Sequence, residues 1–204
     1  MSEGTVAIKS RPCLLFTFTE EIMENTALKQ KSAILRLVYS AVFLALAIIL
    51  PLLTGNIQTI GKMLCPMHIP VLLCAFVCGP YWAAAVGFIA PLLRFLLFSM
   101  PPMPNGIAMA FELLTYGLIC GLMYKLLPKK FGFTYLSLII AMIAGRLIWG
   151  ASMLIISGVT SKAFTFPAFW AGAVTGSVPG IILQIVLIPP LALLLEKLNV
   201  SKKA

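Results

Sequence analysis

The sequence predicts an all-α integral membrane protein, a bundle of six transmembrane helices with both termini in the cytoplasm. Three observations lead there. Apolar residues make up 61% of the 204 residues and charged residues only 10%, with a mean hydropathy of +1.05. A soluble domain carries about 45–50% apolar and about 25% charged residues, so this chain lacks the polar surface to stay dissolved. The apolar residues also come in runs near the ~20 residues that a helix needs to cross hydrocarbon. Lys and Arg gather in alternate gaps between those runs, which orients a membrane protein.

The first span is Ala33 to Leu53, closed by Thr54-Gly55-Asn56. A second apolar run extends from Leu64 to Cys78, where Gly79-Pro80 interrupts it, since proline removes an amide donor and biases its predecessor away from the helical region. A third, Tyr81 to Phe98, leads into Met100-Pro101-Pro102-Met103-Pro104. The fourth covers Gly106 to Leu127 and stops at Pro128-Lys129-Lys130; the fifth covers Thr134 to Val159. The sixth, Phe169 to Leu195, carries Pro179, Pro189 and Pro190 and is expected to be kinked or broken.

Six spans put both termini on one side. Lys29, Lys31, Arg36, Lys125, Lys129, Lys130, Lys197, Lys202 and Lys203 flank that side, against Lys62 and Lys162 on the other. The excess places both termini in the cytoplasm. It also explains the net charge of +9 through the lipid bilayer, with no nucleic acid implied. Residues 30–198 form the membrane domain, residues 1–29 an N-terminal tail and residues 199–204 a C-terminal one. Residues 1–25 lack the long apolar core and small-residue cleavage site of a signal peptide. Met23 opens a second plausible start, which makes residues 1–22 an artefact of the assigned start or a disordered tail.

Small residues four apart let helix backbones approach closely. Ala83 with Gly87, Gly117 with Gly121, and Gly172 with Gly176 and Gly180 are read as internal packing. Ala41 with Ala45 in the first span is set apart from them.

Only Arg94, Glu112 and Arg146 carry formal charge inside the spans. Intramembrane charges are costly and face an interior or a cavity. At about 1.5 Å per residue, all three fall in the outer half, as does His68 at the start of the second run. Four polar groups from four helices at one depth point to a cavity open to the exterior. Their net charge of +1 favours a ligand with an acidic or hydrogen-bond-accepting group. Asn56, Gln58 and Asn105 lie in outer loops able to close over a ligand, and Trp149, Trp170, Phe111 and Tyr116 are available to stack on a ring. The candidate binding residues are therefore Arg94, Glu112, Arg146, His68, Asn105 and Trp149.

Other chemistry is excluded. The chain contains no aspartate, its acids being Glu3, Glu20, Glu21, Glu24, Glu112 and Glu196. A single histidine cannot build a zinc site without further ligands, and none stand at metal spacing. Cys13, Cys65, Cys74, Cys78 and Cys120 form no C-x-x-C pair and read as small core residues. Gly55 to Lys62 is a near miss for a phosphate loop, with one residue too many between the glycines and Met63 in place of Ser/Thr. Neither catalysis nor a cofactor is expected in this chain.

The first helix with Ala41-x-x-x-Ala45, followed by HIPVLLCAFVCGPYWAAAVGFIAPLLRFLL (68–97) and the MPPMP turn, resembles the substrate-binding S components of energy-coupling factor (ECF) vitamin transporters. The resemblance implies six helices with both ends inside and a pocket near the outer face, gated by the segment at about 54–67. It also implies that Ala41 and Ala45 dock on a transmembrane T subunit joined to two cytoplasmic ATPases. Transport would then proceed by toppling of this subunit, with ATP spent by the partners. Family members take various vitamins or vitamin precursors, and these residues do not choose among them. The alternative from a different class is a proton- or sodium-coupled secondary carrier working through Glu112. A ligand-free scaffold subunit is a third reading.

Overall fold

The computed structural model describes residues 14–53, 65–103, 105–128, 131–160, 165–173 and 177–197. They form seven helices and no strand: α1 (Leu14–Leu53), α2 (His68–Val77), α3 (Pro80–Phe98), α4 (Asn105–Leu126), α5 (Phe131–Thr160), α6 (Phe166–Ala173) and α7 (Val178–Lys197). Five contain a stretch long and apolar enough to cross a membrane: Gln30–Leu52, Pro80–Phe98, Asn105–Leu126, Gly132–Val159 and Val178–Lys197.

The expected spans one, three, four and five recur as α1, α3, α4 and α5. The helix of α1 starts well before Ala33, at Leu14, so residues 14–22 are helical and continuous with the span. The second apolar run differs more. Its helix has ten residues, about 15 Å of rise against a hydrocarbon thickness of about 30 Å. Cys65 has φ +47°, outside the right-handed helical region, and Pro66 follows it; a residue before proline is biased against helix. Pro70 falls in the first turn of α2, where its missing N–H costs no internal bond. The helix is therefore too short to cross a bilayer by itself. His68 lies against Tyr116, with ring centroids 5.2 Å apart, and Phe76 against Tyr124 at 4.9 Å. So α2 runs alongside the C-terminal half of α4, and every one of its residues is buried.

The sixth run contributes two helices, α6 and α7, with Pro179 in the first turn of α7 and Pro189-Pro190 inside it. Gly172 and Gly180 thus belong to different helices and share no face, while Gly176 lies outside the described residues. Gly172 instead packs on Trp149, whose ring would stand 2.6 Å from an added Cβ.

The central helix is α4, which packs on α3, α5 and α2. Against α3 the approach is backbone to backbone. A Cβ on Gly117 would lie 2.5 Å from the Ala83 carbonyl carbon, and one on Gly121 would lie 2.7 Å from Pro80 Cα. Gly87 meets the Leu113 carbonyl in the same way. These small residues serve internal packing, as read from their spacing.

Helix α1 packs on α2 and α3. Ser40, Phe43, Ala47 and Pro51 form its buried stripe, and Ala41 and Ala45 lie on its exposed face with Ile34, Val38 and Ile49. Cys65, Cys74, Cys78 and Cys120 are buried thiols that form no disulfide.

Candidate functional site

The polar centre of the bundle lies where α2 begins. Glu112, two turns into α4, is 1% exposed. Its Oε1 takes three neighbours from three directions. Arg146 Nη1 on α5 stands at 3.0 Å, the Tyr116 hydroxyl donates at 3.0 Å, and His68 Nε2 on α2 stands at 3.5 Å. Tyr116 reaches the carboxylate as its i+4 neighbour, the side-chain pairing that helix geometry favours. Its ring occupies the space left by Gly145 on α5, where even a Cβ would overlap it.

Arg146 extends from the cluster to the chain leading into α2, with Nη2 3.8 Å from Cys65 Sγ. Its Nε has no hydrogen-bond partner, and neither has His68 Nδ1. A carboxylate and a guanidinium this deep in hydrocarbon are tolerable only as a pair. Spare N–H capacity on a buried guanidinium leaves room for one further acceptor.

A second group lies along the same α4–α5 seam, toward the N-terminal end of α4. Trp149 Nε1, one turn from Arg146, donates to Asn105 Oδ1 at 3.3 Å, and Asn105 Nδ2 is 3.6 Å from Met109 Sδ. Phe169 of α6 stacks on Trp149 with centroids 6.3 Å apart. Asn105 is thus the first residue of a helix, where sequence reading had put it in a loop. Asn56 and Gln58 lie outside the described residues, as does most of the segment expected to gate the pocket.

The structure brings five of the six candidates into these two neighbouring groups. The bonds described for Arg94 lead elsewhere. Its Nη1 donates to the Ile48 carbonyl of α1 at 3.0 Å, and its guanidinium lies 5.6 Å from the Phe98 ring centroid. This arginine ties α3 to α1. Among the aromatics, Tyr116 and Trp149 are buried, whereas Phe111 and Trp170 face outward.

Sequence reading missed Cys65, Ser177 and Gln184, all buried. Formal charge was the filter for intramembrane polarity, and uncharged side chains passed through it. The Cys65-Pro66 pair was the available signal for a helix starting late. No cluster of metal-ligating side chains is present among the described residues, and the groups assembled here can bind a ligand but form no nucleophile–base pair.

The family model for the substrate-specific component of ECF transporters matches residues 35–192. The chain belongs to that family. No curated protein and no solved structure matches it. This S component is thus a multi-pass membrane protein and a substrate-binding subunit of a transporter, not an enzyme. The family match begins within the apolar part of α1 and ends within α7, so both polar groups fall inside it.

Proposed function

We propose that this S component captures a small organic micronutrient, a vitamin or vitamin precursor, at the outer face of a prokaryotic plasma membrane. A T subunit carrying two cytoplasmic ATPases then drives its delivery by toppling. The observation that carries the reading is the Glu112–Arg146–His68 cluster at the start of a half-length helix, in a chain of this family. Broken helices at membrane depth are tolerated where they are buried in protein or line a cavity, and transporters use their ends to hold substrate.

In this reading Arg146, His68 and Glu112 form the polar inner end of the site. Asn105 and Trp149 form its outer wall, and Arg94 holds α1 in place. The membrane domain spans residues 30–198, with both termini cytoplasmic. Ala41 and Ala45 are exposed on α1, and small side chains there admit a partner helix at close range, which suits docking on the T subunit. ATP is spent by the partners and no cofactor resides in this chain. The carrier reading fares less well. A carboxylate held 3.0 Å from a guanidinium is poorly placed to pick up and release a proton or sodium ion in each cycle.

The test is mass spectrometry of small molecules released from the protein purified in detergent after expression alone in rich medium. A stoichiometric vitamin or precursor is expected. A protein that emerges empty and also fails to co-purify with any T subunit and ATPases would sink the proposal.

A further inference from the structure

Gln184 on α7 is 1% exposed, and neither Nε2 nor Oε1 of its carboxamide has a hydrogen-bond partner. Buried amides are normally satisfied, and within a bilayer no bulk water is at hand to satisfy one. Packing alone would favour an apolar residue of the same size at this position.

Its location ties it to the polar centre. Gly180, Gln184 and Ile188 are buried at four-residue spacing, one stripe of α7, and α7 packs on α2 and α5, the helices that carry His68 and Arg146. Near the C-terminal end of α7, Glu196 accepts from the Tyr124 hydroxyl of α4 at 3.0 Å. Gln184 lies on the buried face of α7, turned toward α2 and α5.

We infer that Gln184 is a ligand-reading group of this site, its carboxamide pairing with a substrate edge that presents a hydrogen-bond donor beside an acceptor. A carboxamide offers N–H and C=O side by side. It matches the edge of a lactam, a cyclic urea or a pterin-like ring, in which N–H and C=O point the same way. An open-chain trans amide sends them to opposite sides and does not match. The inference rests on the S-component reading and deepens it by naming the substrate class.

Thermal unfolding and equilibrium binding of the full chain test it, with riboflavin, biotin and folate as probes of the matching class. Pantothenate and pyridoxine serve as probes outside it. Small molecules retained through purification are identified in parallel. A matching compound should bind the wild type, added or co-purified. Gln184→Met is expected to unfold at or above the wild-type temperature without ligand, and to bind that compound at least about 100-fold more weakly, since a substrate edge built for the amide is left unpaired. Wild-type affinity in Gln184→Met, or a wild type that binds only pantothenate, pyridoxine or another compound without such an edge, overturns the inference and leaves the S-component reading standing. A Gln184→Met protein that fails to fold or unfolds below the wild type also overturns it, by assigning the amide a structural partner. A wild type that binds nothing, added or retained, removes both.

Discussion

The two sides of α4 are built on opposite principles. Toward α3 it offers Gly117 and Gly121, and the backbones meet with no room for a side chain. Toward α2 and α5 it offers Glu112 and Tyr116, long polar side chains held by partners on two other helices. One side gains from contact everywhere along its length; the other depends on a few directed bonds. The lesson is a division of labour within one helix. The glycine side fixes the position of the Glu112 carboxylate, and the polar side leaves donors at Arg146 and His68 with capacity for a ligand.

Enlarging the glycine side is expected to have the largest effect. Gly117→Leu should yield no folded protein, because its Cβ alone would stand 2.5 Å from the Ala83 backbone and backbone cannot yield as a side-chain tip can. Even Gly117→Ala should cost on the order of 1–3 kcal/mol, the usual scale of overpacking. Unfolding in detergent followed by tryptophan fluorescence reads both. A Gly117→Leu protein that unfolds like the wild type would dissolve the contrast.

Breaking the polar side comes next. Arg146→Ala leaves the Glu112 carboxylate buried without its countercharge, at about 3–5 kcal/mol, and should also weaken ligand binding. Lys162→Ala, at a residue expected in an outer loop, should do neither. Replacing both partners, Glu112→Leu with Arg146→Met, should recover most of the stability, because apolar residues often substitute well for a buried pair. It should not recover binding. A double variant that binds as the wild type does would reduce the pair to a clamp between helices.

Tyr116→Phe should cost about 1 kcal/mol, the net worth of one hydrogen bond, with its ring still seated against Gly145. The smallest effect on stability is expected at the lipid-facing surface. Ala41→Trp or Ala45→Trp should unfold within about 0.5 kcal/mol of the wild type, as surface substitutions usually do. Each should bind ligand normally yet fail to co-purify with the T subunit. Retained assembly in both would remove the docking role, and lost ligand binding would contradict it.

Much of this division was legible in the sequence, though unevenly. The glycine pairs announced themselves by their four-residue spacing, and their use in internal packing followed. Glu112 and Arg146 stood out because charge is rare in such runs. His68 drew notice as the only histidine. Arg94 carried the same charge signal but went to the Ile48 carbonyl, since neither charge nor depth says which way a side chain points around its helix. Gln184 carried no signal to a search based on charge, and only its burial without partners brings it forward.

The sequence by itself determined that this protein lives in a membrane, roughly where four of its helices run, and which residues carry charge inside them. Hydropathy is a local quantity summed along the chain, so it survives without knowledge of neighbours. Only the tertiary structure decided that the second run is a half-length helix beginning beside Glu112, that Arg146 rather than Arg94 is the partner of that carboxylate, and that α7 turns Gln184 inward. Those outcomes depend on the angle of each side chain about its helix axis and on how tightly whole helices approach. Contacts between residues far apart in the chain set both.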